Sequence, residues 1–140
     1  MKRLALLTVF LMVGLLLAAI TATLSTTNAR PETMLTVTSA ADAGPGTLRQ
    51  ALLDAVSGDT IVFDTAVFPP ASPATIFITS GRLPNLDQGG ITIDASGAGV
   101  ILDGSGLPDG WEDAFAVTSS NNVIRGLQIF NFPGDGIEIC

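Results

Sequence analysis

The sequence contains no histidine and no tyrosine, and Cys140 is the single cysteine among its 140 residues. Without histidine the chain cannot form a Ser-His-Asp triad, a Cys-His pair or a histidine-ligated zinc site. A single cysteine excludes both a four-cysteine metal site and an internal disulfide. Basic residues are also scarce, with 6 Lys and Arg against 13 Asp and Glu. Because affinity for nucleic acid depends mainly on Lys and Arg contacts to phosphate, this balance argues against a nucleic-acid partner.

Residues 1–29 have the three parts of a secretory signal peptide. Two basic residues precede an apolar run at residues 4–20, and a small polar stretch follows at residues 21–29. Thr27 and Ala29 fit the positions before a cleavage site, which predicts cleavage between Ala29 and Arg30. The apolar run is at the lower length limit for a bilayer-spanning helix, so a retained membrane anchor is the alternative. We expect a secreted or cell-surface protein that has no membrane contact after cleavage.

Cleavage would leave a mature chain without lysine. Four arginines would remain against all 13 acidic residues, for a net charge of −9. The absence of lysine excludes a lysine nucleophile, a Schiff base and a lysine-assisted polysaccharide lyase within this stretch. A strongly negative charge keeps an exported protein soluble and repels anionic surfaces.

A short helix is predicted at residues 47–58, after a lead-in segment at residues 30–46. The sequence Thr47-Leu48-Arg49-Gln50 matches a capping box with Thr47 as the N-cap, and apolar residues then recur at helical spacing. Gly58 stands where a left-handed residue would end the helix. Such a short helix is marginal alone, so its apolar stripe must cover an apolar partner. The residues proposed to form this cap are Thr47, Leu48, Gln50, Leu52, Val56 and Gly58.

Residues 59–140 consist of short β-branched runs separated by Gly, Pro, Asn, Asp and Ser, which is typical of strands and turns. No second helical period lies between these runs, which argues against a doubly wound parallel sheet. The remaining choices are an antiparallel sandwich and a stack of strand-turn coils. The predicted strands cover residues 59–64, 74–79, 90–94, 100–103, 113–118, 122–129 and 136–139.

Spacing favours the stack of coils. Ile61, Ile76 and Ile91 recur at equal intervals of 15 along the chain. Segment 101–117 also aligns without a gap on segment 123–139, so that apolar and turn positions coincide. The period of this second alignment, near 22, suits one coil of a β-solenoid, whose inward residues pack against the neighbouring coils. Residues 59–140 would then hold about four coils.

Two segments resemble the N-terminal signature of secreted right-handed β-helix proteins. That signature reads Cys-Ser-Leu-Arg-Glu-Ala-Ile, a short gap and Gly-Asp-Thr-Ile, and this chain has GTLRQAL at residues 46–52 and GDTIVF at residues 58–63. Gly46 replaces the cysteine and Gln50 replaces the glutamate. Segments 89–106 and 121–139 also resemble the repeats of pectin-lyase-like parallel β-helices.

The resemblance covers residues 42–140 and implies an all-β fold. The expected architecture is a right-handed parallel β-helix of about four coils, with an N-terminal α-helix over the first coil and a signal peptide before it. The last predicted strand ends at Cys140 without a cap, so we expect the coils at 59–140 to be truncated there and to continue into further coils or a partner chain. The residues expected to face inward include Ile61, Phe63, Ile76, Ile78, Ile91, Ile93, Ile101, Phe115, Val117, Ile124, Ile129, Ile137 and Ile139.

Acidic residues are the first candidates for chemistry. Ca²⁺ is the one cofactor considered, because it prefers several oxygen ligands; its candidate ligands are Asp103, Asp109, Glu112 and Asp113. The alternative is a solvated turn. Asp94, Asp103, Asp113 and Asp135 are candidates for the paired carboxylates of glycoside hydrolysis, although Asp at strand ends commonly bonds to nearby backbone.

Trp111 and Arg125 are the candidate glycan contacts, through a flat apolar face and a cationic group. Their alternative roles are covering the coil and forming an ion pair between coils.

Three functions are compatible with the sequence. The preferred one is an exported or cell-surface β-helix scaffold or binding module, adhesin-like, which interacts with a polysaccharide, a cell-surface glycan or another surface and has no complete catalytic site within this chain. The alternative is the N-terminal part of a polysaccharide lyase or glycoside hydrolase whose catalytic coils lie beyond residue 140. A membrane-anchored variant depends on retention of residues 1–29.

Overall fold

The computed structural model describes residues 30–110 and 112–140. The predicted signal peptide at residues 1–29 and the candidate glycan contact Trp111 therefore lie outside the described residues. The described part contains one short helix and nine strands. Their bounds are β1 (Met34–Val37), α1 (Leu48–Asp54), β2 (Thr60–Phe63), β3 (Ala74–Phe77), β4 (Thr92–Asp94), β5 (Val100–Asp103), β6 (Phe115–Val117), β7 (Val123–Arg125), β8 (Leu127–Phe130) and β9 (Ile137–Ile139).

Every strand pair in the described residues is parallel. The strands form a first sheet in the order β1-β2-β4-β7, a second sheet in the order β3-β5-β8 and a third sheet of β6 and β9. The chain thus winds as a β-solenoid of about 4 turns, here called coils. The predicted stack of coils is confirmed, and the antiparallel alternative is wrong.

Each complete coil passes through the three sheets in succession. The second coil contains β2, β3 and the bridge residue Leu86, which pairs with Val117 of β6. The third coil contains β4, β5 and β6, and the fourth contains β7, β8 and β9. Parallel pairing requires a long connection between neighbouring strands, and here the rest of the coil supplies that connection.

The core is built from apolar residues that occupy the same position on successive coils. In the first sheet, Ile61 aligns with Ile93, and both side chains are fully buried. In the second sheet, Ile76 aligns with Leu102, which is also buried. Complete burial of one such side chain contributes about 1.5–3 kcal/mol, so these inward rows hold the coils together.

The predicted coil period is too short for most of the solenoid. In the second sheet Ile101 aligns with Gln128, and in the first sheet Thr92 aligns with Val123, so both steps exceed the predicted one. Among the described strand pairs, only β6 and β9 keep the predicted shift, with Phe115 opposite Ile137, whereas the Leu86–Val117 bridge on the same face has a longer step. Strand register is set by hydrogen bonds and inward packing, whereas the corners between the sheets accept different lengths of chain.

The equal spacing of Ile61, Ile76 and Ile91 has a different meaning from the predicted one. Ile61 lies in β2 of the first sheet, and Ile76 lies in β3 of the second sheet. Ile91 immediately precedes β4 in the first sheet of the next coil. The first interval therefore leads from one face to the next, whereas the second also passes the bridge residue Leu86, and neither interval measures the length of a coil.

The predicted strand at residues 122–129 is divided at Gly126. This glycine has φ = +78° and separates β7 of the first sheet from β8 of the second. A Cβ atom at this position would overlap the carbonyl carbon of Ala95 and the nitrogen of Ser96. Only glycine fits a left-handed corner with this close a backbone approach.

Strand β1 was not predicted and lies within the lead-in segment at residues 30–46. It pairs with β2, and Leu35 stands opposite Ile61. Its sequence, MLTV, is short and lacks the flanking Gly and Asp that mark the later strands. The partner strand stabilises it, as is common where tertiary pairing outweighs weak local preference.

Helix α1 covers apolar surface next to β1, the edge strand of the first sheet. Leu48, Ala51 and Leu52 are buried and belong to the same apolar cluster as the inward strand residues. Thr47 is the N-cap, as predicted, and its Oγ1 accepts a hydrogen bond from the Gln50 backbone N–H at 3.2 Å. The Gln50 side chain does not complete a capping box, because its amide donates to Asp54 Oδ1 at 2.8 Å.

The helix ends earlier than the sequence indicates. Ala55 is its C-cap in an extended conformation, so Val56 leaves the helical stripe and is 41% exposed. Gly58 has φ = +93°, but it lies in the turn in which the Asp59 N–H donates to the Val56 carbonyl at 3.0 Å. Gly58 therefore turns the chain into β2 and is not the residue that ends the helix.

Three residues expected to face inward lie on the outer face or at the uncovered end, while Val117, Ile124 and Ile129 are half-buried against the core. Ile101 is on the outer face of β5, because its neighbours Val100 and Leu102 are the buried ones. Ile137 and Ile139 align with the inward residues of β6, but they are exposed. No strand of the described chain lies over β9, which leaves these two side chains uncovered.

Candidate functional site

An open cavity of about 530 Å³ lies beside the third sheet. It combines three carboxylates with one guanidinium, so its lining is polar and has an excess of negative charge. A lining of this kind suits a ligand that carries hydroxyl groups or positive charge. The lining residues are Arg82, Asp113, Pro133, Gly134, Asp135 and Glu138.

The alignment of the third and fourth coils brings Asp113 and Asp135 together. The two residues occupy equivalent places just before β6 and β9, and the Ala114 N–H donates to the Asp135 carbonyl at 3.0 Å. The Asp135 N–H in turn donates to Asp113 Oδ1 at 2.6 Å. Asp113 is only 8% exposed, so one oxygen of its carboxylate serves to join the two coils.

Of the four carboxylates considered for glycoside hydrolysis, Asp113 and Asp135 are the two that line one cavity. Asp94 ends β4 in the first sheet, and Asp103 ends β5 in the second. The Glu138 carboxylate is a further cavity group that was not among the predicted site residues. Glu138 lies in a predicted strand, and the alternation of side chains along a strand indicates only that this residue faces outward. That pattern does not show that the residue lines a cavity.

The candidate Ca²⁺ ligands are not brought together. Asp103 Oδ1 accepts the Ser105 N–H at 2.8 Å, while Asp113 is bonded to the next coil. Asp109 is exposed in the intervening loop, and Glu112 is half-buried. Within residues 30–110 and 112–140, no cluster of three or more Asp, Glu, Cys or His side chains has the geometry to hold a metal ion.

Arg125, the other candidate glycan contact, pairs with a carboxylate on the preceding coil. Its Nη2 donates to Asp94 Oδ2 at 2.6 Å, and its side chain is 58% exposed. The Arg125 hydrogen bond, together with bonds from Ser96, lowers the pKa of Asp94 well below its ordinary value. The alternative role of Arg125, an ion pair between coils, is therefore present, and the exposed guanidinium still faces solvent.

Asp42 and Arg49 form a second polar network, which joins the N-terminal segment to the loop after β3. Arg49 Nη2 donates to Asp42 Oδ1 and to the Gly81 carbonyl, each at 2.7 Å, and Nη1 donates to the Arg82 carbonyl at 2.7 Å. Asp42 Oδ2 accepts the Ser80 N–H at 2.7 Å. A guanidinium with this many partners fixes the loop, which is a structural and not a catalytic role.

The ionisation of Asp42 follows from its surroundings. Burial alone would raise the pKa of this carboxyl, but hydrogen bonds from Ser80, Arg49 and Thr79 outweigh it and hold the pKa well below the ordinary value. Asp42 was not a predicted site residue. Its partners Thr79 and Ser80 lie far along the chain, beyond β3, and no local pattern marks such a contact.

The Gly-Asp-Thr-Ile motif is explained by the buried carboxylate of Asp59. Its Oδ1 accepts the Thr33 N–H and its Oδ2 accepts the Val56 N–H, each at 3.0 Å. These bonds connect the start of β1 to the segment that leaves α1. The motif is therefore a structural joint at the N-terminal end of the solenoid.

Asn122 performs a similar function between the third and fourth coils. Its Oδ1 accepts the Ile91 N–H at 3.0 Å, and its Nδ2 donates to the Ser119 carbonyl at 2.9 Å. Phe132, an aromatic residue in a later turn, packs against the apolar core.

Comparison of the chain with protein-family models, with curated proteins and with solved structures finds no match. The β-solenoid is therefore established by the structure, while the pectin-lyase-like resemblance rests on the sequence segments alone. The helix found in the described residues is too short and too polar to cross a bilayer.

Proposed function

We propose that this chain is an exported β-solenoid scaffold and binding module that presents its outer faces to a polysaccharide, a cell-surface glycan or another surface. The observation that carries the proposal is the parallel register of the strands. Equivalent residues on successive coils stand about 4.8 Å apart, so the outer side chains form straight rows on a rigid support. A surface of this kind matches an extended, repetitive ligand.

The charge and the N-terminal sequence support export. The chain from residue 30 onward carries four arginines and 13 acidic residues, a balance suited to a soluble exported protein. Residues 1–29 are proposed to direct secretion and to be removed after Ala29. Retention of this segment would instead anchor the module at a membrane.

The exposed end at β9 supports continuation of the solenoid. Ile139 is 82% exposed, and within the described residues β7, β8 and β9 each pair with a strand on one side only. Unpaired strand edges with apolar side chains favour pairing with another chain segment. We propose that further coils or a partner chain cover this end, in the right-handed manner of the pectin-lyase-like proteins that the sequence resembles.

The cavity beside the third sheet favours a second candidate function. Asp113, Asp135 and Glu138 place three carboxylates around one open space, with Arg82 at its edge. Carboxylates accept hydrogen bonds from sugar hydroxyls, so this open space suits part of a polysaccharide substrate. In this alternative the chain is the N-terminal part of a polysaccharide lyase or glycoside hydrolase whose catalytic coils lie beyond residue 140.

The test uses the full chain, expressed from Met1 in a secreting host. We expect the medium to contain a protein whose N-terminal sequence begins at Arg30, and a chain that starts at Arg30 without the preceding segment to remain inside the cells. The secreted protein is then tested by affinity electrophoresis against neutral and acidic polysaccharides, and we expect retardation without cleavage. Absence of secretion, or no retardation by any polysaccharide or cell surface, would overturn the proposal. Unsaturated or newly reducing sugar products would overturn the non-enzymatic proposal and would place the reacting groups within this chain and not beyond residue 140.

A further inference from the structure

A row of three outer residues crosses the second sheet. Phe77 of β3, Asp103 of β5 and Phe130 of β8 occupy the same position on three successive coils. Their neighbours Ile76 and Leu102 point into the core, so alternation places the row on the outer face. We call these three residues the Phe-Asp-Phe row.

The phenyl rings of the row are exposed to solvent. Phe77 is 56% exposed and Phe130 is 50% exposed, whereas Phe63, Phe68 and Phe115 are buried. The row therefore contributes little to the core, which the inward residues already fill. Adjacent parallel strands lie about 4.8 Å apart, so the two aromatic positions are roughly 9–10 Å apart with the carboxylate midway between them.

The carboxylate at the centre of the row is held in one position. Asp103 Oδ1 accepts the Ser105 N–H at 2.8 Å, and Oδ2 accepts a hydrogen bond from Asn131 Nδ2 at 3.1 Å. Asn131 is in the left-handed region, with φ = +57°, directly after Phe130. Hydrogen bonds from Ser105, and to a smaller extent from Asn131, lower the pKa of Asp103, so this carboxylate is ionised at neutral pH. Each carboxylate oxygen retains capacity to accept a further hydrogen bond from a ligand hydroxyl.

The adjacent outer row adds polar groups. Thr75 and Gln128 flank Ile101 at the equivalent position two residues earlier in each strand. A hydroxyl and an amide supply donors as well as acceptors beside the phenyl rings. The combined surface has apolar faces separated by hydrogen-bonding groups, and it extends along the direction in which the coils stack.

These features match a neutral glycan more closely than other ligands. Sugar rings have apolar C–H faces that pack on phenyl rings, and their hydroxyls donate to carboxylates. The fixed charge of Asp103 and the acidity of the chain oppose anionic polysaccharides. A quaternary ammonium group is best held by an enclosed aromatic cage, whereas this row is open and spans three coils.

We infer that the Phe-Asp-Phe row binds a neutral glycan chain lying along the solenoid axis. Sugar rings separated by one unit stack on Phe77 and Phe130, and the hydroxyls between them donate to Asp103. The inference rests on the proposed binding function and assigns that function to one surface.

The test compares three variants of the secreted full chain with the wild type. Phe77→Ala and Phe130→Ala each remove one ring, and Asp103→Asn replaces the charged acceptor. Leu53→Ala is the matched control, because Leu53 is 61% exposed on helix α1, away from the row. Circular dichroism and thermal unfolding establish that each variant remains folded, as expected for outer side chains.

Binding is measured by affinity electrophoresis and calorimetry with soluble mixed-linkage β-glucan, galactomannan and dextran, and with polygalacturonate as the anionic comparison. We expect the wild type to bind at least one of the neutral polysaccharides. Each phenylalanine variant should lose about tenfold in affinity and the Asp103 variant severalfold, while Leu53→Ala should bind like the wild type.

The outcomes separate this inference from the broader proposal. If the wild type binds a neutral polysaccharide and both phenylalanine variants bind it equally well, the row is not the site, although the binding module stands. Binding to polygalacturonate alone, or to a trimethyllysine peptide in preference to every neutral glycan, would also overturn the inference. A wild type that binds no polysaccharide and no cell surface would overturn both.

Discussion

Arg125 Nη2 lies 2.6 Å from Asp94 Oδ2, and the two residues occupy the same position on neighbouring coils. In a parallel ladder, a residue on the outer face has its nearest outer neighbours directly above and below it. Opposite charges at such positions favour the observed register over one shifted by a residue.

The Asp94–Arg125 pair should make only a small contribution to stability. Its guanidinium is largely exposed, and exposed ion pairs are weakened by solvent and salt. We expect Arg125→Gln and Asp94→Asn each to lower the melting temperature slightly. The stability effects of the two substitutions should be coupled, and this coupling should decline as sodium chloride is added. A double-mutant cycle measured by thermal unfolding checks this. A large coupling that persists in high salt would contradict the prediction.

Leu52→Asp should destabilise the N-terminal coils. Leu52 is buried against the solenoid, and an unpaired carboxylate there would cost at least about 3 kcal/mol. Leu53→Asp is the matched control on the exposed side of the same helix, with an expected change within about 0.5 kcal/mol. Urea unfolding followed by circular dichroism measures both free energies. Equal stability of the two variants would show that α1 does not cover the apolar core.

Gly126→Ala should destabilise the corner between β7 and β8. The added Cβ would overlap the Ala95–Ser96 peptide, and alanine disfavours the left-handed backbone, so we expect a loss of at least about 2 kcal/mol. At Gly97 nothing lies within 4 Å of the added atom, so Gly97→Ala should be nearly neutral. The comparison is made by chemical denaturation. Wild-type stability of Gly126→Ala would mean that the corner is not formed as described.

Asp42 should contribute to stability in a pH-dependent way. Because its pKa is lowered from the ordinary value of 3.8 in the folded chain, its contribution is complete above that pH and is lost as the pH falls toward the folded pKa. At pH 7 we expect Asp42→Asn to have a lower melting temperature than the wild type. The difference between the two melting temperatures should narrow below about pH 4. Asp87→Asn, at an exposed position, controls for loss of one negative charge. A melting-temperature difference between Asp42→Asn and the wild type that stays constant as the pH is lowered from 7 would contradict the prediction.

Local sequence patterns predict most of the elements but not how they pair. The alternating run at Val100–Asp103 is a strand because alternate residues are buried, and Thr47 is an N-cap because its hydroxyl accepts the Gln50 N–H. Pairing depends on the length of each corner. The glycine at residue 126 is a local signal for a bend within a strand-like run, and it could have divided that run correctly.

The candidate sites depend on contacts that no local pattern reveals. Asp42 acquires its partners from a loop on the second coil, and the aromatic residues of the Phe-Asp-Phe row are far apart in the sequence. Asp113 and Asp135 are the exception, because the predicted shift is valid at the third sheet. The sequence therefore located one side of the cavity, whereas Arg82 and Glu138 required the three-dimensional structure.

Parallel pairing also determines how the molecule would respond to mechanical tension. The hydrogen bonds between coils run along the stacking direction, so a pull in that direction loads them a few at a time instead of all together. Each detached coil would release roughly 100 Å of extended chain before the next one yields. A protein fixed to a surface through such a segment could lengthen stepwise under load and rewind when the load is removed.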